Sequence, residues 1–72
     1  MTSANPTKRF GNRVRQLRRE RGWSQVYLAV HTGISKTFIC NMECGDKEPC
    51  LGTIQTLADG FGISLGELFR PL

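Results

Sequence analysis

No stretch of the 72 residues approaches the roughly 18 consecutive apolar positions that a membrane-spanning helix needs. The opening Met1-Thr2-Ser3-Ala4-Asn5-Pro6 also lacks the apolar core of a secretion signal. The expected compartment is the cytoplasm. Cysteine is scarce and odd in number, and Cys40, Cys44 and Cys50 cannot make a full disulfide framework. With His31 they amount to four potential zinc ligands, but the paired C-x2-C or H-x3-H spacing of a structural site is missing. They read as small semi-apolar fillers on a helix and a loop, with no metal ion and no cofactor expected. No window alternates apolar and polar residues for long enough to make a strand, which leaves an all-α chain. No acid-base constellation surrounds His31, and a domain this small offers no cleft that excludes water, so the chain is not expected to be an enzyme.

What is present is a modest core and a lopsided charge. At 39% hydrophobic and 22% charged residues, the chain suits one small globular domain, and a core of this size supplies only about 3–5 kcal/mol of net stability. The expected division is a flexible arm over residues 1–6 and a single domain over residues 7–72. Ten Lys and Arg face six Asp and Glu for a net +4. Seven of the ten (Lys8, Arg9, Arg13, Arg15, Arg18, Arg19 and Arg21) fall within the first 22 residues, where Glu20 is the lone acid. Such a concentrated positive end suits nucleic-acid phosphates or an anionic membrane surface, and equally a solvated helix face.

Five short helices follow from period and punctuation. Phe10, Val14, Leu17 and Arg21 recur at helical spacing, started near Asn5-Pro6 or Thr7 and stopped by Gly22. Ser24 is placed to cap a second helix over about residues 25–32, and Gly33 to end it. Two residues later Ser35 can cap a third, running through Glu43 to a stop at Gly45, and helices joined by so short a turn form a helix-turn-helix. After the break at Pro49, a fourth helix covers about residues 51–61 and ends at Gly62. Ser64 with Glu67 then forms a capping box for a last short helix carrying Leu65, Leu68 and Phe69. The expected fold is therefore a compact five-helix, all-α domain.

An ordered set of residues now resembles a known family. Val14-Arg15-Gln16-Leu17-Arg18, Gly22-Trp23-Ser24-Gln25-Val26-Tyr27-Leu28-Ala29, Gly33-Ile34-Ser35, Ile39, Glu43, Gly45 and Pro49 are followed by Leu57-Ala58, Gly62-Ile63-Ser64-Leu65 and Glu67-Leu68-Phe69. This pattern is similar to the phage-repressor, XRE-like class of helix-turn-helix proteins, which includes the small stand-alone controllers of restriction systems. The resemblance covers roughly residues 8–70. It implies a lambda-repressor-like domain whose third helix, about residues 35–44, enters the major groove of double-stranded DNA.

The resemblance also implies roles. Lys36, Thr37 and Asn41 match positions that reach base edges, and their chemistry suits it: lysine donates to guanine, asparagine bridges adenine, and threonine offers a hydroxyl and a methyl. Gln25 stands where the amides of a helix start favour a phosphate, Ser35 caps the recognition helix beside the backbone, and Lys47 follows it in a loop. Arg13, with Arg9, extends the phosphate footprint from the first helix. Arg18 matches an arginine that pairs with the glutamate at Glu43, a structural ion pair. Leu65, Leu68, Phe69 and Leu72 match the last-helix material of a two-fold dimer, or close the monomer core.

Departures are equally visible. Cys40 and Cys44 replace polar or basic residues on the outer face of the recognition helix. Cys50 and Gly52 stand where a better cap and a better helix former are usual, which costs the fourth helix about 1–2 kcal/mol, and Gly60 and Gly66 weaken the C-terminal helices further by roughly 1 kcal/mol each. The expected function is a sequence-specific regulator, a repressor that occupies a near-palindromic operator as a homodimer, with no small-molecule ligand and no membrane contact. The alternative is a protein-binding helix-turn-helix module such as an antitoxin component or coactivator-like adaptor.

Overall fold

A computed structural model describes residues 5–72. Its first helix, α1, runs Pro6–Glu20: the Asn5 side chain accepts from the Thr7 amide at 2.8 Å, and Pro6 brings a preset φ to the first turn. The helix thus begins inside the expected arm, because Asn5 and Pro6 are a cap and an N1 residue. The remaining arm positions, 1–4, lie outside the described residues. Arg18 and Arg19 sit in the last turn, where the dipole favours cations.

The turn into α2 (Gln25–Thr32) is closed by Ser24, whose hydroxyl accepts from the Tyr27 amide at 2.9 Å. Gly33 ends α2 in the left-handed region at φ 79°, where a side chain would be strained, and returns its amide to the Ala29 carbonyl. Ser35 immediately caps α3 (Lys36–Glu43) by accepting from the Phe38 amide. Only residues 33–35 separate the two helices, as a helix-turn-helix requires. Helix α4 (Leu51–Phe61) starts at Cys50 without a side-chain cap bond, and α5 (Leu65–Phe69) starts from the complete Ser64–Glu67 capping box. No strand occurs among the described residues.

The core takes one stripe from each helix: Phe10, Val14 and Leu17 of α1, Leu28 of α2, Ile39 and Met42 of α3, Leu57, Ala58 and Phe61 of α4, and Leu68 of α5. Helix α3 packs on both α1 and α2, while α5 closes against α4 and α1. The α1–α3 contact depends on a residue with no side chain. Gly11 is buried, and a methyl there would overlap the Met42 carbonyl oxygen and lie 3.0 Å from that of Glu43. Gly60 does similar service between α4 and α2, since its methyl would come within 2.7 Å of Thr32 Cγ2. No described helix is long and apolar enough to cross a membrane.

Candidate nucleic-acid interface

The rotation of α3 is set from within. Ile39, Met42 and Glu43 are buried, so the opposite side of the helix is turned outward: Lys36 and Thr37 are exposed, Cys40 and Asn41 half-buried, and Cys44 exposed at the C-cap. Eight residues make a helix about 12 Å long, of a diameter that the DNA major groove admits. Asn41, Lys36 and Thr37 thus share one outward surface, with Ser35 exposed at its N-terminal edge and Lys47 exposed in the loop beyond its end.

Glu43 anchors the other side. Arg18 grips it bidentately, Nε donating to Oε2 at 2.8 Å and Nη2 to Oε1 at 3.0 Å. A third donor is the Gln25 amide, 3.1 Å from Oε1. The guanidinium of Arg15 adds its charge, with Nε 3.6 Å from Oε1 and Nη2 donating to the Glu43 carbonyl. Burial alone would push the Glu43 carboxyl up, but hydrogen bonds from Arg18 and Gln25, and the charges of Arg18 and Arg15, outweigh it and hold the group below its ordinary value. Its hydrogen bond to Glu43 raises Arg18 against the opposing effect of burial. The last bond of Arg18, to the Trp23 carbonyl at 2.8 Å, ties in the turn before α2. Three helices meet at one carboxylate.

This use of Gln25 differs from a free phosphate ligand. Its side-chain amide is committed to Glu43, where the sequence suggested a phosphate contact. Arg13 is also occupied: Nε donates to the Leu68 carbonyl at 2.9 Å and Nη2 to that of Glu67 at 2.7 Å, so it clamps α5 onto α1 where the sequence suggested a phosphate contact. The reason is geometric, because the C-terminal carbonyls of a short helix lie within its reach and need donors. Arg9 donates to the Leu72 carbonyl, and Arg21 caps α1 through Leu17 while reaching the Phe61 carbonyl. Much of the basic end of the chain therefore holds the fold together.

At the C-terminal end, Leu68 is 0% exposed and belongs to the core, so it cannot face a partner from this fold. Leu65, Phe69 and Leu72 remain partly exposed, with the Phe69 ring 5.6 Å from that of Phe10. Sequence reasoning missed three features. Gly11 had a signal, a glycine in the middle of an amphipathic helix. The arginine clamps had none, because their acceptors are main-chain carbonyls about 40 to 63 positions away. The exposure of Val30 at 80% and Leu51 at 82% also had none, since both lie on helices that are otherwise amphipathic.

Comparison with known proteins finds relatives of this chain. The helix-turn-helix domain family matches residues 9–72. The control protein C.MunI from a Mycoplasma species is 34% identical over 65 residues, 89% of this chain and 88% of that protein. The HTH-type transcriptional regulator SutR of Escherichia coli (strain K12) is 33% identical over 58 residues, 81% of this chain, while this chain spans 33% of the length of SutR. Among solved structures, the restriction-modification controller protein C.AhdI from Aeromonas hydrophila aligns with a TM-score of 0.83 at 35% identity, over 88% of this chain and 96% of that one.

Proposed function

Because the chain belongs to the phage-repressor, XRE-like family of helix-turn-helix transcriptional regulators, we propose that it binds a near-palindromic operator as a homodimer and represses by occupying it. The observation that carries this reading is the division of labour on α3. Ile39, Met42 and Glu43 hold the helix, and Lys36, Thr37 and Asn41 are left on one outward surface with hydrogen-bonding chemistry that base edges accept. Phosphate contacts would come from the amides at the α2 N-terminus, from Ser35 at the start of α3 and from Lys47. These position the domain without choosing a sequence. Leu65, Phe69 and Leu72 supply the dimer contact, which sets two recognition helices one helical turn of DNA apart.

The test is enrichment of a random duplex pool on the purified protein at physiological salt, where non-specific binding is weak. An inverted repeat with half-site centres about 10 base pairs apart is the expected result. Lys36→Ala and Asn41→Ala should then each cost about 1–3 kcal/mol and relax preference at one position of the half-site. A pool without any motif would overturn this reading in favour of a protein-binding module, for which the exposed Val26, Val30 and Leu51 would be the apolar surface.

A further inference from the structure

Two of the three free thiols stand one turn apart, Cys40 on α3 and Cys44 at its C-cap. Cys40 is half-buried, Cys44 is exposed, and their spacing of four residues places both on one side of the helix with Lys36. Side chains at this spacing have Cβ atoms about 5–6 Å apart, whereas a disulfide needs about 3.5–4.5 Å, so direct oxidation to a bridge does not fit an intact helix. A cation held between two sulfurs does fit. With a metal–sulfur bond of roughly 2.3 Å, the length of a zinc–thiolate bond, a linear S–metal–S unit spans about 4.6 Å.

We propose that Cys40 and Cys44 form a chelating dithiol on the outer side of α3 for a soft, two-coordinate cation of the copper(I) class, and that filling it weakens DNA binding. The choice of ion follows from ligand softness and number. Thiolate pairs select soft ions, and zinc wants four ligands, whereas no group of three or more His, Cys, Asp or Glu able to hold a metal occurs among the described residues. Uptake of one monovalent ion by the two thiols forms two metal–sulfur bonds and releases two protons, with no change of oxidation state. The site thereby gains one negative charge, placed beside Lys36 on the surface that would approach DNA. The second half of the proposal rests on the DNA-binding reading above; the first half does not.

The experiment is anaerobic titration of the reduced, full chain with copper(I) presented as its bicinchoninate complex, followed by alkylation of the remaining thiols and mass measurement. The expected result is one ion per chain with Cys40 and Cys44 protected and Cys50 alkylated. Cys40→Ser and Cys44→Ser should each weaken uptake by about 100-fold, the loss of a linked second donor, while Cys50→Ser keeps it. Uptake that follows Cys50, or that persists unchanged in Cys44→Ser with its helical circular dichroism intact, overturns the site. So does zinc(II) binding to the pair as tightly as copper(I). For the regulatory half, copper(I) should weaken binding to the selected operator in the wild type and Cys50→Ser but not in Cys44→Ser. An equal response in all three overturns the regulatory half. A chain that takes up one copper(I) yet selects no DNA motif keeps the site and sinks the DNA-binding reading instead.

Discussion

At Glu43 a fully buried side-chain carboxylate survives because three donors close on it. Removing it strands Arg18 in a desolvated position, so Glu43→Ala should cost about 3–5 kcal/mol and lower thermal stability and DNA affinity together. An unchanged melting temperature in that variant would refute the pairing. The same site fixes a pH dependence. Its carboxyl titrates lower in the folded chain than in the unfolded one, so its contribution is complete above the unfolded value near pH 4.3 and is lost as pH falls through the folded value. Urea midpoints measured between pH 7 and 3 should fall more steeply for the wild type than for Glu43→Gln. Among the thiols the shifts are opposed. The Thr53 hydroxyl holds Cys50 below its ordinary value, while burial and Cys40 push Cys44 up, so limiting iodoacetamide at pH 7.5 should label Cys50 first. The Arg18–Glu43 pairing was legible only through resemblance, because nothing in local spacing joins residues 25 positions apart.

At the scale of the element, local punctuation was nearly sufficient. Ser24, Ser35 and Ser64 each accept the amide that a capping residue should, and Gly33 and Gly62 end α2 and α4 in the left-handed region. These signals act within one turn, which is why they can be read from a string of residues. Packing between elements cannot. Gly60 reads as a helix-weakening residue on propensity alone, yet its lack of a side chain is what lets α4 approach Thr32. Two substitutions separate the effects. Gly11→Ala should destabilise the fold by about 1–3 kcal/mol, because the new methyl meets main-chain carbonyls of α3 that cannot move aside. Gly52→Ala meets nothing within 4 Å on an exposed turn and should stabilise α4 by up to about 1 kcal/mol. Thermal melts of the two variants, shifted in opposite directions, would check both.

Over the whole molecule, the positive end of the chain changes its meaning once folded. Counting residues 1–22 suggests a wide phosphate footprint, but Arg9, Arg13, Arg15, Arg18 and Arg21 all donate to acceptors within the fold. These bonds span the molecule and leave no trace in composition, so the total charge was legible and its use was not. The salt dependence of non-specific DNA binding should reflect this. Lys47→Gln is expected to reduce the log-log slope by about 0.9 for each phosphate left unneutralised, whereas Arg13→Gln should lower the melting temperature and leave the slope unchanged. A slope that drops equally for Arg13→Gln would show that its guanidinium leaves the α5 carbonyls for DNA.

The side chains that hold α3 in the domain and those that point away from it are disjoint sets, the first being Ile39, Met42 and Glu43 and the second Lys36, Thr37 and Asn41. Two kinds of variation are thereby uncoupled. If α3 reads DNA as proposed, drift among descendants of this gene can exchange the outer residues, and with them the sequence recognised, while the fold tolerates each step. On that reading, a DNA site and its binding protein can diverge together into a pair insulated from the ancestral one, with Gly11, Arg18 and Glu43 unchanged throughout.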